Sequence, residues 1–110
     1  MSINSDVITA LSTVNLPKET GVYTGAALNY IVLTPLGERN DDVADDTDLT
    51  ETEGLDVNLY YVGNYLATKN QIKTLLKAAG FFISDSQHIE YDTETKQHHY
   101  VFTIEKKTVL

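Results

Sequence analysis

Residues 55–62 read Leu55-Asp56-Val57-Asn58-Leu59-Tyr60-Tyr61-Val62. Successive side chains of an extended chain point to opposite sides, so Leu55, Val57, Leu59 and Tyr61 share one face. That is the pattern of a half-buried strand. Upstream, Leu28 to Thr34 (Leu-Asn-Tyr-Ile-Val-Leu-Thr) is rich in β-formers and bounded by Pro35 and Gly37, which predicts a second strand. Downstream, Asn64 to Ala79 carries Ile72, Leu75, Leu76 and Ala79 at helical spacing, with Lys69, Lys73 and Lys77 on the opposite side. Gly80 is placed to end this helix in the left-handed conformation.

Phe81 to Tyr91 and Gln97 to Glu105 are two further β-rich runs. The polar connector Asp92-Thr93-Glu94-Thr95-Lys96 is of turn length, so the pair reads as a hairpin. The last strand puts Tyr100, Phe102 and Ile104 on one face. At the N-terminus, residues 1–16 form a helical unit. Residues 4–14 are helical there, with Asn4 or Ser5 as the cap and Ile3, Val7, Leu11 and Val14 as the apolar stripe. Asn15-Leu16-Pro17 ends it, and residues 18–27, with Gly21 and Gly25, read as a connecting loop. The order is α-β-β-α-β-β. It predicts an α+β fold, a mostly antiparallel sheet with helices on one face.

The chain has 110 residues, 42% of them hydrophobic. That suits one domain with an ordinary core, residues 1–110, and excludes a large cofactor-carrying enzyme. A chain of this size buries about 60–70% of its unfolded surface, so modest stability or support from partners is expected. There is no cysteine, hence no disulfide, thiolate nucleophile or cysteine metal site. Met-Ser-Ile-Asn-Ser-Asp at the start lacks the basic and apolar regions of a signal peptide. The uncharged run Leu28 to Leu36 is far short of the ~20 residues of a membrane helix. A soluble protein of the cytoplasm is expected, without membrane attachment.

Sixteen acidic and eight basic residues give a net charge of −8, which disfavours a basic nucleic-acid-binding surface. The charge is concentrated. From Glu38 to Asp56 there are nine acids (Glu38, Asp41, Asp42, Asp45, Asp46, Asp48, Glu51, Glu53, Asp56) against one base, Arg39. Seven acids and seven bases make the remainder neutral. Arg39 to Gly54 has only Val43, Ala44 and Leu49 as clearly apolar residues, too few to offset the entropy of ordering. Residues 37–54 are therefore expected to be a long, mobile acidic loop between the first two strands. Such loops are usually functional or disordered. Solvation, assembly and cation binding are the three readings of it. An EF-hand register fails: from Asp46, Glu51 falls where glycine is needed and Val57 where glutamate is needed. From Asp41 or Asp42, position 3 is Val43 or Ala44.

Three histidines invite a metal or acid–base reading. His98 and His99 are adjacent, so on a strand they point to opposite faces. His88, on the partner strand, can face one of them, and with Glu90 the pair would suit zinc; polar histidines on an open hairpin face are the commoner outcome. There is no Gly-x-Ser-x-Gly, phosphate-binding glycine loop or His-Glu-x-x-His. No catalytic residue, metal ligand or cofactor is expected. The seven tyrosines, among them Tyr60 and Tyr65, suit interfaces as well as small β-rich cores. Lys69, Lys73 and Lys77 read as a solvated helix face or as a contact for an acidic neighbour, such as the loop of an adjacent copy. Asp41, Asp42, Asp45, Asp46, Asp48, Tyr60, Tyr65, Lys69, Lys73 and Lys77 are thus the candidate interaction residues.

From Leu28 to Glu105 the arrangement resembles a phage protein family. The likeness runs through Tyr30-Ile31-Val32, a variable polar insert, Val57-Asn58-Leu59-Tyr60, and a helix with Ile72, Leu75 and Leu76. It continues through Gly80-Phe81-Phe82-Ile83 to a closing hairpin from Ile89-Glu90-Tyr91 to His99-Tyr100-Val101-Phe102-Thr103-Ile104. This is similar to the tail-terminator (tail-completion, or minor tail) proteins of long-tailed phages and prophages of Gram-positive bacteria. The resemblance implies a small α+β subunit without cofactors, assembled in the host cytoplasm and carried in the virion. Its copies would form a ring, typically a hexamer, that caps the tail tube and receives the filled head. Tail tube protein and head–tail connector are the implied partners. DNA would pass through the ring without being specifically bound, and an acidic loop facing the lumen would keep that passage slippery. Other neck and head–tail connector proteins share the pattern. An acidic inhibitor that mimics DNA is a competing reading, disfavoured when the acids lie in one flexible segment. A metal-binding or enzymatic reading rests on the histidines alone.

Overall fold

A computed structural model describes residues 3–44 and 47–109. Its elements are α1 (Ile3–Ala10), β1 (Lys18–Thr20), β2 (Tyr30–Ala44), β3 (Thr47–Val62), α2 (Leu66–Ala78), β4 (Phe82–Asp92) and β5 (Gln97–Val109). The strands form one five-stranded sheet in the order β1-β2-β3-β5-β4. Strands β2, β3, β5 and β4 pair antiparallel, whereas β1 runs parallel to β2. The sheet is thus mixed, not wholly antiparallel, because the segment expected as a loop over 18–27 contributes a short strand. Lys18, Glu19 and Thr20 lie opposite Ile31, Val32 and Leu33. Three residues with no apolar alternation leave no strand signal in the sequence.

The alternation around β3 holds. Leu55, Val57 and Leu59 are fully buried, opposite Pro35, Leu33 and Ile31 on β2 and Ile104, Phe102 and Tyr100 on β5. Ile3, Val7, Leu11 and Val14 from the N-terminal segment, with Ile72, Leu76 and Phe81 from α2 and its C-terminal turn, complete the same core. Both helices therefore pack on one face of the sheet. Helix α1 runs from Ile3 rather than from a cap at Asn4 or Ser5. Turns bonded Leu11 N–H to Val7 and Val14 N–H to Leu11 carry the apolar stripe past Ala10. Lys18 Nζ donates to the carbonyls of Val14 (2.8 Å), which also accepts from Leu16 N–H, and of Leu16 (3.2 Å), tying down the end of this segment.

Helix α2 ends as its sequence predicts. Gly80 has φ +91°, with its N–H on Lys77 O and Phe81 N–H on Leu76 O. These are the two bonds of a Schellman motif, and the buried Leu76 and Phe81 supply its apolar contact. The hairpin between β4 and β5 is also as expected. Asp92 Oδ1 accepts from Glu94 and Thr95 N–H, and Lys96 takes the left-handed position at φ 62°.

The largest departure from the sequence reading lies in the acidic segment. Where a mobile loop is expected over residues 37–54, strands β2 and β3 continue as a hairpin, paired from Gly37↔Gly54 to Ala44↔Thr47. Pro35 does not end β2, because an irregularity between Pro35 and Gly37 carries the chain past it and Gly37 supplies φ +92°. The proline costs no ladder bond there: β1 pairs only with Ile31 to Leu33, so the outer edge of β2 is unpaired beyond Leu33. Strand β5 accompanies the hairpin as far as Thr50↔Val109. The hairpin makes the molecule long, 54 × 25 × 24 Å with a radius of gyration of 15.3 Å. A compact chain of this length would have about 13 Å.

Leu59 sits at the centre of the core with no exposed surface. Leu59→Ala is expected to cost about 2–5 kcal/mol, read as a lower urea midpoint with an unchanged slope; a loss below about 1 kcal/mol would contradict the packing described.

Candidate functional site

The sheet has two unequal free edges. Strand β4 is eleven residues long, has β5 as its one neighbour, and is exposed at every position but Ile83. Phe82 (65% exposed), Ile89 (46%) and Tyr91 (43%) leave apolar surface on this edge. At the other side, β2 has an open edge from Thr34 onward, where Leu36 is exposed. Long unpaired edges that carry apolar side chains are sites for another chain to pair with.

Helix α2 runs beside β4. Lys73 and Lys77 are exposed and line a cleft of about 340 Å3 with Ile83, Ser84, Asp85 and Ser86. Neither lysine has an ion pair among the described residues. Lys69 differs: its Nζ lies 5.4 Å from the centroid of the Tyr100 ring, a cation–π arrangement. The predicted row of three lysines is thus divided into one tethered and two free cations. Of the acidic candidates, Asp41 and Asp42 fall in β2 and Asp48 in β3, while Asp45 and Asp46 lie outside the described residues. The hairpin is anchored at its base. Glu53 Oε2 accepts from Ile3 N–H at 3.4 Å, Thr103 Oγ1 donates to Asp56 Oδ1 at 2.7 Å, and Lys106 pairs with Asp6 of α1.

Tyr60 and Tyr65 occupy opposite faces of the sheet. On the face away from the helices, four rings stack in a row across three strands and a loop. Centroid separations are 4.2 Å for Tyr23–Tyr30, 4.9 Å for Tyr30–Tyr60 and 4.3 Å for Tyr60–His99. Tyr23 reaches the row by folding its loop over the sheet: its hydroxyl accepts from Ala27 N–H at 3.0 Å, and a Cβ at Gly25 would collide with that hydroxyl. His99 is oriented from below. Asn58 Nδ2 donates to Val32 O (3.1 Å) and Thr34 Oγ1 (3.2 Å), which turns its Oδ1 toward His99 Nε2 at 2.9 Å. The ring nitrogen must therefore carry the proton and donate. Burial holds the His99 pKa below its ordinary value, against the upward pull of Glu90; His88 adds to the lowering. Burial, Tyr30 and Glu90 raise the Tyr60 hydroxyl.

On the helix side Tyr65 packs against His98 (4.8 Å), His88 (5.8 Å) and Tyr100 (5.7 Å). His88 Nε2 and His98 Nδ1 are 3.0 Å apart. His98 and His99 do point to opposite faces. Glu90 lies opposite His99, so the triad of His88, a second histidine and Glu90 is not brought together. Among the described residues no group of three or more His, Asp or Glu side chains is placed to hold a metal ion, and no helix is long and apolar enough to cross a membrane.

No protein-family model matches the chain, and no curated protein matches it. Its fold has a likeness among solved structures. A chain of the structure described as the virion of a native gene transfer agent particle superposes with a TM-score of 0.65. The two are 11% identical, and the match covers 99% of this chain and 96% of that one. At that identity the likeness shows the fold.

Two outcomes test the ring row. Tyr60→Ala removes two stacked contacts and is expected to cost about 1–3 kcal/mol, whereas Tyr65→Ala leaves the row intact; denaturation of both variants measures the difference. A histidine held below its ordinary pKa of about 6.5 binds its proton more readily in the unfolded chain. Stability is then full above about pH 6.5 and declines as pH falls through the lower folded value. His99→Gln should flatten the fall in melting temperature between about pH 7 and pH 5; an unchanged fall would assign it to carboxylates instead.

Proposed function

We propose that this chain is a structural subunit of a phage or prophage virion: a tail-terminator (tail-completion) protein that forms a ring, caps the tail tube and joins it to the head. The fold likeness carries this reading. It spans both chains almost end to end, and the neighbour belongs to a virion particle. The surface supports it from the other side. Strand β4 at one edge and β2 at the other present different unpaired surfaces. A contact between unlike surfaces is heterologous, and repeated by rotation it closes into a ring.

The strand directions are compatible with closure. Strand β4 runs opposite to β2, since β2 and β5 share a direction and β4 pairs antiparallel to β5. Placing β2 of one copy beside β4 of the next is therefore an ordinary antiparallel pairing that keeps every copy the same way up. Such a subunit needs no cofactor and no catalytic group; its work is geometric. Another head–tail connector or neck position fits the same likeness, because the neighbour's description extends to the whole particle.

The hairpin favours one reading of a different class. Among the described residues Glu38, Asp41, Asp42, Asp48, Glu51 and Glu53 lie along two paired strands rather than in a loop, so the objection to a DNA-mimicking inhibitor loses its ground. Assembly in the host cytoplasm and partners in the tail tube and connector belong to the terminator reading; a DNA-binding enzyme would be the partner of the inhibitor.

Light scattering after size exclusion, across concentration and with purified tail tubes, separates these. A closed ring of about six 12.2 kDa chains, or capture on tube ends, is the expected result. A monomer that ignores tubes yet inhibits a nuclease would replace the terminator with the inhibitor.

A further inference from the structure

We propose that His88 and His98 form a two-histidine site for a divalent late transition metal such as zinc, on the hairpin of β4 and β5. The site goes beyond the ring reading and does not rest on it. Its first support is distance. His88 Nε2 and His98 Nδ1 face each other at 3.0 Å. Two imidazole nitrogens bound to one ion at about 2.0–2.1 Å, at angles between square and tetrahedral, stand about 2.9–3.4 Å apart. The gap between the two rings is therefore already the span of a chelate. A hydrogen bond across it needs one nitrogen with its proton and one with a lone pair. Moving that proton to the far nitrogen of its own ring, a tautomeric change in which no proton is lost, leaves two lone pairs for an ion. Imidazole donors suit zinc, copper and nickel rather than magnesium or calcium.

The second support is the setting of the rings. The ladder is irregular between His88 and Glu90, so Tyr91 stands opposite His98, where a regular ladder after His88↔Tyr100 would have put Glu90. Glu90 is turned to the other face, opposite His99, and the histidine pair receives an aromatic wall instead. His98 packs against Tyr65 at 4.8 Å and Tyr91 at 4.6 Å between centroids. His88 meets His98 edge-on at 5.2 Å and has Tyr65 at 5.8 Å. Rings held by such contacts have less rotamer freedom to lose on binding. Among the described residues no carboxylate joins the pair, so water completes the coordination. It has access, because His88 and Tyr91 are exposed. Lys69, whose Nζ lies over the Tyr100 ring beside Tyr65, opposes the ion by one charge. A bound ion would tie the edge strand β4 to β5 across the pair.

The test titrates Zn2+ alone into the full-length chain at neutral pH, by calorimetry and with the histidine ring signals followed by NMR. One ion per chain is expected to bind saturably. The signals of His88 and His98 should shift, and those of His99, on the opposite face, should stay in place. His88→Gln and His98→Gln should each weaken binding at least about tenfold, whereas His99→Gln should leave it unchanged. The melting temperature should rise with zinc in the wild type and not in His98→Gln. Absence of saturable binding below about 1 mM zinc overturns the inference. Binding of equal strength in wild type, His88→Gln and His98→Gln overturns it as well and assigns the ion to carboxylates. Either result leaves the ring reading standing, since light scattering without added metal measures assembly separately.

Discussion

Strand β3 is hydrogen-bonded on both sides and buried on one face, and every other element is placed by it. Leu55, Val57 and Leu59 present three apolar side chains at a spacing of two. Two residues of register shift would displace the whole set, and one would turn it to solvent. The paired residues on β2 and β5 must then offer their own apolar positions at the same levels, which Ile31, Leu33, Phe102 and Ile104 do. Helices α1 and α2 close over this surface because it is the only continuous apolar face of the described sheet long enough to bury Val7, Leu11, Ile72 and Leu76.

The same register explains why one end of the molecule is different. The apolar alternation stops at Leu55, but backbone pairing does not. Strands β2 and β3 continue past it as the hairpin, held by ladder bonds and by β5 as far as Thr50. The high acid content of this strand pair adds self-repulsion. Glu53 on the N–H of Ile3 and Asp56 on Thr103 relieve that at the base.

The open face shows a second consequence of register. Tyr23, Tyr30, Tyr60 and His99 come from four separate segments and stack into one row only because Tyr30 lies opposite Tyr60 and Tyr60 opposite His99. Asn58, the next open-face position on β3, fixes the tautomer of His99 through bonds to β2. Tyr60 and Tyr65, five residues apart in sequence, serve opposite faces because Gly63 turns the chain away from the sheet between them.

Local chemistry in the sequence was enough for the α+β class, the core stripe of β3, the apolar side of α2, its glycine stop, and the hairpin at Asp92 to Lys96. Each depends on periodicity or turn preference within about a dozen residues. Charge concentration and the lysine row of α2 were equally legible, being read directly along the chain. The strand β1, the passage of β2 through Pro35, the conversion of an expected acidic loop into a hairpin, and the ring row were decided by tertiary structure. In each of these the stabilising partner lies far away in sequence: Ile31 for Lys18, β5 for the hairpin base, His99 for Tyr60. Propensity describes what a segment prefers in isolation, whereas pairing energy belongs to two segments at once and exists only after the sheet has brought them together.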